Sequence, residues 1–93
     1  MHIESVKLAT RTDIEQVEEQ TRLFTSPPEG LRAAIAWEDD EGNASIIFVW
    51  DDAQASTRWN QEKMWPKLKS GELSLSSEAP QSVEPIHAFV RGD

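Results

Sequence analysis

The sequence predicts an α+β domain in which two helices cover one face of a four-stranded antiparallel sheet. Three observations lead to this fold class. Gly30 to Trp50 has the alternating pattern of a β-hairpin, interrupted by an acidic break from Asp39 to Asn43. A helical pattern stands on each side of the hairpin, and a strand pattern stands near each end of the chain. The predicted order is therefore β-α-β-β-α-β.

The first two elements are predicted to be a strand and an amphipathic helix. The strand is expected from His2 to Ala9, and the helix from about Asp13 to Phe24. Thr12 followed three residues later by Glu15 fits a capping box at the start of the helix. Residues at spacings of three and four form its apolar face: Ile14, Val17, Thr21 and Phe24.

The second arm of the hairpin, Ala44 to Trp50, is apolar on both sides. Its large side chains alternate between two faces: Ile46, Phe48 and Trp50 on one, and Ile47 and Val49 on the other. A strand that needs burial on both faces belongs in the middle of a sheet. In a split β-α-β arrangement the third strand inserts beside the first, so we expect these two strands at the centre.

The second helix is predicted from about Ala53 to Met64. Asp51 or Asp52 is placed to cap its first turn, and Pro66 should end it, because proline disfavours helical geometry in the preceding residue. One face is expected to point inward, with Trp59 at its margin: Ala53, Thr57, Asn60 and Met64.

The last part of the chain is expected to form a polar loop from Ser70 to Gln81 and a strand from Ser82 to Val90. Both helices would then cover the same face of the sheet. The other face stays bare and carries large apolar side chains. Such a face marks an interface or a ligand site, and symmetric pairing with a second copy is the commonest cover. We therefore expect a homodimer through the sheet face.

Composition limits the possible classes of function. The 93 residues, 38% of them hydrophobic, suffice for one small domain spanning 1–93. A net charge of −8 opposes binding to nucleic acid or to an anionic membrane surface. No cysteine is present, which excludes disulfides and thiolate metal sites. The sequence shows neither a secretion signal nor an apolar run of ~20 residues, so we expect a cytoplasmic protein.

Four stretches carry a resemblance to a known family: Gly30 to Trp37, Ile46 to Asp52, the helix around Trp59, and Ile86 to Val90. Together they resemble the dimeric α+β-barrel proteins, a ferredoxin-like superfamily that includes antibiotic biosynthesis monooxygenases. The resemblance covers nearly the whole chain. It implies a ferredoxin-like sheet that dimerises into a barrel, with pockets between sheet and helices. Members differ widely in activity, so the fold does not fix the function.

Six residues are candidates for a ligand site. Four of them are tryptophans, which can either line a slot for a flat ligand or pack the core and dimer: Trp37, Trp50, Trp59 and Trp65. Asn60 is placed to donate a hydrogen bond to a ligand carbonyl or to developing negative charge. His87, on the last predicted strand, is the candidate acid or base, with a purely structural hydrogen-bonding role as the alternative.

These observations favour a small dimeric protein that binds an apolar or aromatic molecule between sheet and helices, without a metal or organic cofactor. The alternative is a cofactor-independent monooxygenase acting on an aromatic, polyketide-like substrate, with His87 assisting deprotonation. A third interpretation is a dimer surface that binds another protein. Haem-degrading members of the superfamily use a helical histidine as iron ligand. The second helix here contains no histidine, which argues against that activity.

Overall fold

The computed structural model describes residues 1–75 and 81–83, and within them the elements follow the predicted order. The strands and helices have these bounds: β1 His2–Leu8, α1 Arg11–Thr21, β2 Leu31–Glu38, β3 Ala44–Trp50, α2 Ala53–Trp59, a π-helical turn Asn60–Met64, α3 Trp65–Ser70 and β4 Gln81–Val83. The remainder of the predicted last strand, including His87, lies outside the described residues.

The four strands form one antiparallel sheet in the order β2-β3-β1-β4. The first and third strands are therefore central, as predicted. They pair along their whole length, from His2 opposite Trp50 to Leu8 opposite Ala44. This register aligns the alternating side chains of both strands, so that each face of the sheet centre is built from matched pairs.

The core lies between the sheet and the helices. Alternate residues of β3 form its floor and are all buried: Ala44, Ile46, Phe48 and Trp50. Val17 of α1 and Ala55 and Trp59 of α2 pack on that floor, together with Leu23. The predicted alternation of β3 is confirmed, because one set of its side chains is buried and the other is only half-buried.

The first helix begins earlier than predicted. It starts at Arg11 after Thr10, whose side chain makes no capping hydrogen bond, so the predicted capping box at Thr12 is wrong. Asp13 is instead buried, and its carboxylate accepts a hydrogen bond from the backbone N–H of Ala9, 3.2 Å away. The carboxylate thus ties the helix to the end of β1, which offsets the cost of burying it.

The first helix also ends three residues before the predicted Phe24. Arg22 has the left-handed backbone conformation, φ 58°, which stops the helix. The carboxylate of Glu18 then holds the following chain: it accepts hydrogen bonds from the hydroxyl of Thr25 and from the backbone N–H groups of Phe24 and Thr25. These hydrogen bonds lower the pKa of Glu18, and the bond from the Thr25 hydroxyl has the largest effect. The turn carries Leu23 into the core.

The second helix does not end near Trp65, so the predicted effect of Pro66 is wrong. Three helical segments run without a break from Ala53 to Ser70. Proline lacks an N–H and its ring crowds the carbonyl four residues earlier. A π-helical turn immediately before α3, with the N–H of Trp65 bonding the carbonyl of Asn60, places Pro66 in the first turn of α3, where a missing N–H costs little.

The inward face of the second helix also differs from the prediction. Asp52 caps α2 as expected, accepting a hydrogen bond from the N–H of Ala55 at 2.9 Å. The buried residues of α2 are Ala55, Ser56 and Trp59. Ala53 and Thr57, which were expected to point inward, are exposed. The helix is thus rotated so that Trp59 lies at the centre of its buried face.

Gly30 fixes the distance between the hairpin and the start of α2. It has a positive φ of +87°, and a Cβ at this position would lie only 2.6 Å from the Cβ of Ala55. Its carbonyl accepts a hydrogen bond from the N–H of Asp51 at 2.8 Å, which closes the base of the hairpin. Only glycine satisfies both the conformation and the close approach without strain.

A pair of glycine substitutions tests this contact. Gly42, at the hairpin tip, has nearly the same φ of +85° but has nothing within 4 Å of its added Cβ. Gly42→Ala should therefore lower the free energy of unfolding by about 1 kcal/mol through backbone strain alone. Gly30→Ala adds a clash between the new Cβ and the Cβ of Ala55. The free energy of unfolding should therefore fall by about 3 kcal/mol in total. Urea unfolding measures the free energy of unfolding of both variants. Equal decreases would show that the close approach of Ala55 does not affect stability.

Candidate functional site

A cavity of about 160 Å³ lies between the helix-covered face of the sheet and the second helix. Its floor comes from β1 and β3, and its roof from the segment between Trp59 and Leu68. The lining residues are mostly apolar: Val6, Leu8, Val17, Ile46, Phe48, Trp50, Trp59, Met64, Trp65, Leu68 and Leu75, with Glu4 and Asn60 as the polar members. Trp65 is 52% exposed, so the cavity reaches the protein surface at this residue.

Three aromatic rings form the innermost wall of the cavity. The rings of Phe48 and Trp50 are stacked with centroids 6.0 Å apart, and Trp59 lies tilted against them at 6.0 and 5.9 Å. These distances are in the range at which aromatic pairs attract one another. The cluster therefore fixes the shape of the wall, and it presents aromatic surface to any molecule in the cavity.

A chain of hydrogen bonds forms the polar end of the cavity. The hydroxyl of Ser56, itself buried, donates to Oε1 of Glu4. The side-chain amide of Asn60 donates to the backbone carbonyl of Ser56 at 2.9 Å and lies 3.4 Å from its hydroxyl oxygen. Nε2 of His2 lies 3.7 Å from Oε2 of Glu4, which is longer than a hydrogen bond. These contacts orient the carboxylate of Glu4 beside the aromatic wall.

The hydrogen bonds of Asn60 determine which of its atoms is available. A backbone carbonyl only accepts, so the atom facing the carbonyl of Ser56 must be the amide nitrogen. The nitrogen also donates to the hydroxyl oxygen of Ser56 at 3.4 Å, so both of its N–H groups have partners and the oxygen Oδ1 is the atom left to interact with a ligand. The geometry thus favours an acceptor role for Asn60 over the donor role expected from the sequence.

The π-helical turn places two of the lining residues. Asn60 begins the turn and Met64 ends it, and both line the cavity. Widened turns of this kind are rare and are found frequently at functional sites. Here the turn lies directly over the cavity.

Trp50 carries a second polar feature of the site. Its ring is buried and lines the cavity, and its indole Nε1 is also buried. No described residue accepts a hydrogen bond from this nitrogen. A buried N–H group without a partner is costly, so this donor is available to an acceptor supplied from outside the described chain.

The structure brings together four of the predicted site residues and separates one. Trp50, Trp59, Asn60 and Trp65 line the cavity. Trp37 does not: it is 45% exposed and belongs to the opposite face of the sheet. His87, the sixth candidate, lies outside the described residues.

Sequence reasoning missed Glu4 and Ser56. Glu4 has a recognisable signal, because it shares its strand face with Val6 and Leu8, and a carboxylate on an apolar face requires a partner. Ser56 has no such signal. Its burial depends on the rotation of α2, which the helical periodicity misassigned.

Within residues 1–75 and 81–83 no cluster of three or more His, Asp or Glu side chains could hold a metal ion. Among the same residues no helix is long and apolar enough to cross a membrane.

Comparisons with solved structures show the same architecture. A crystal structure of a protein from Bacteroides thetaiotaomicron, provisionally named an antibiotic biosynthesis monooxygenase, matches with a TM-score of 0.69 and 12% identity over 99% of this chain and 95% of that one. A protein of unknown function from Nitrosomonas europaea matches with a TM-score of 0.68 and 13% identity, over 99% and 95%. A Deinococcus radiodurans protein, also provisionally named a monooxygenase, gives 0.64 and 16% over both full chains.

Neither a protein-family model nor a curated protein sequence matches the chain. At the identities found, the structural likeness establishes the fold alone. The chain has the ferredoxin-like α+β fold of these proteins, which confirms the fold class predicted from the sequence. What the chain does must therefore be argued from its own cavity.

Proposed function

We propose that this protein binds a small apolar or aromatic molecule in the cavity between the sheet and the second helix. The observation that carries the proposal is the wall of Phe48, Trp50 and Trp59, which lines a space left between the two layers. Protein interiors are close-packed, so unfilled apolar space beside a rigid aromatic wall is unusual in a core. A bound apolar molecule would restore the missing contacts.

The size of the cavity indicates the size of the ligand. An apolar cavity of about 150 Å³ is enough to hold benzene. The present cavity of about 160 Å³ is similar, and it reaches the surface at Trp65. It therefore suits a ligand of one or two rings, of which one ring lies against the aromatic wall and the rest lies near the rim.

The cofactor-independent monooxygenase alternative is not favoured. Such a reaction proceeds through a deprotonated, anionic substrate. Among the described residues, Glu4 is the charged side chain that lines the cavity, and its carboxylate would repel that anion. Asn60 would also meet it with an oxygen, since its amide nitrogen is engaged by Ser56. Ligand binding without oxygen chemistry agrees better with these acceptors.

The binding proposal is tested with a neutral two-ring probe, naphthylmethanol, titrated into the protein by calorimetry. Trp65→Ala removes an exposed ring from the rim of the cavity and should weaken binding roughly fivefold, the equivalent of about 1 kcal/mol. Trp37→Ala removes a ring of comparable exposure, 45% against 52%, from the other face of the sheet and should leave the affinity unchanged. Absence of saturable binding, or a loss confined to Trp37→Ala, would contradict the proposal.

We also propose that two copies of the chain pair through the uncovered face of the sheet. That face carries apolar side chains of all four strands, of which Ile3 is buried and the others are half-buried or exposed: Ile3, Ala33, Ile35, Trp37, Ile47, Val49 and Val83. Ile35 is 59% exposed, and Trp37 and Val83 are also exposed. With a net charge of −8, two chains repel each other over most of their surface. The apolar centre of this face is where they can meet without that repulsion, in a symmetric pair.

Sedimentation velocity at micromolar concentration tests the pairing. The wild-type protein should sediment with twice the 10.5 kDa mass of the chain. Ile35→Glu places a charge on an exposed position of the proposed interface, on edge strand β2, and should give a folded particle of single mass, because burying an unpaired carboxylate is costly. Gln54→Glu adds the same charge on the exposed side of α2 and should stay dimeric. A monomeric wild-type protein would refute the pairing.

A further inference from the structure

The cavity is apolar except at one end, and that end is acidic. Glu4 is the only charged side chain among the described residues that line it. Its side chain as a whole is 19% exposed, so the residue is largely packed against its neighbours. A carboxylate in such a position requires hydrogen-bond donors or a positive charge nearby.

The protein supplies only part of what this carboxylate requires. Oε1 of Glu4 accepts the hydroxyl of Ser56. Oε2 lies 3.7 Å from Nε2 of His2, beyond hydrogen-bond distance. No described residue donates a hydrogen bond to Oε2, so this oxygen is open to a donor from a ligand.

A second acceptor belongs to the same hydrogen-bond network as Glu4. Asn60 is linked to Glu4 through Ser56, because its amide nitrogen donates to the backbone of Ser56 and lies 3.4 Å from the same hydroxyl that bonds Glu4. No described residue donates a hydrogen bond to its Oδ1. Two residues with available acceptor oxygens, one of them charged, thus line the same cavity and share one hydrogen-bond network.

The aromatic wall has the same electrostatic preference. The faces of indole and phenyl rings carry partial negative charge, and they attract ammonium groups within about 6 Å, most strongly when the site excludes water. Trp50, Trp59 and Phe48 form that wall. The unpaired indole N–H of Trp50 is a donor, but it is neutral and does not outweigh a full negative charge.

We propose that the natural ligand is an amine that is protonated at neutral pH and carries a small aromatic or apolar body. This inference rests on the proposed binding function and specifies its ligand class. The ammonium group would donate hydrogen bonds to Oε2 of Glu4 and Oδ1 of Asn60, while the body lies against Trp50 and Trp59. A hydroxyl offers one proton and no charge to the same acceptors. A carboxylate would be repelled.

Three ligands that share one ring system test the ligand class. Naphthylmethylamine, naphthylmethanol and naphthoate differ in the charge of one substituent, and each is titrated into the wild-type protein at neutral pH. The amine should bind about tenfold more tightly than the alcohol, since hydrogen bonds between charged groups are roughly twice as strong as neutral ones. The carboxylate should bind more weakly than the alcohol.

Two matched variants locate the preference. Glu4→Gln keeps the shape and should reduce the amine-to-alcohol ratio to about one. Glu62→Gln removes the same charge from an exposed position on the π-helical turn that does not line the cavity, and the ratio should stay at the wild-type value. A change of the same size in both variants would show that only the overall charge of −8 attracts the amine, and would overturn the inference.

The outcomes separate this inference from the proposed function. If all three ligands bind equally well to the wild-type protein, or if Glu4→Gln keeps the preference for the amine, the ligand class is wrong and the binding function stands. If none of the three binds, the binding function itself fails. Should Glu4→Gln not fold, as judged by circular dichroism, the ranking of the three ligands on the wild-type protein still decides.

Discussion

The structure depends on a central strand that is apolar on both faces and that the helices of the described residues cover on only one. β3 runs through the middle of the sheet, paired along its whole length with β1 and β2. On the covered face its aromatic residues form the floor of the core and the wall of the cavity. On the uncovered face its aliphatic residues stand next to exposed Ile35 and Trp37. One strand thus contributes to two different surfaces, the one proposed to bind a small molecule and the one proposed to pair with a second chain.

The second helix explains why the covered face contains a cavity. At its start the helix is held against the sheet, where the missing Cβ of Gly30 allows Ala55 to approach. Farther along, the π-helical turn that accommodates Pro66 replaces a regular α-helical turn. The cavity lies beneath this second part, between Trp59 and Leu68. A close contact at one end and a widened turn at the other therefore leave space between helix and sheet.

Much of the fold could be predicted from the sequence because strand alternation reports burial directly. The two-sided pattern of β3 was sufficient to place it at the sheet centre, and the order of elements then fixed the topology. Helix details were less predictable. Spacings of three and four in the second helix fit two faces, and only packing against the sheet selects the one that buries Trp59. The effect of Pro66 was misjudged because a local rule for α-helices does not anticipate a π-helical turn.

The candidate site was predicted in part for the same reasons. Aromatic residues on β3 and α2 reached the cavity because large rings are buried wherever the layers meet. Trp37 does not reach the cavity, because it lies on the opposite face of the sheet from Ile46 and Phe48. The acidic end of the cavity was overlooked, because its network joins Glu4 to Ser56 across 52 residues of chain. No local pattern records a contact of that kind.

A two-dimensional proton–nitrogen NMR spectrum of the indole N–H groups tests the central claim most directly. Each of the four tryptophans gives one indole signal. On addition of naphthylmethylamine, the signals of Trp50, Trp59 and Trp65 should shift with a common saturation curve, and the signal of Trp37 should stay where it is. A shift of Trp37 alone would place the ligand on the uncovered face of the sheet and contradict this account.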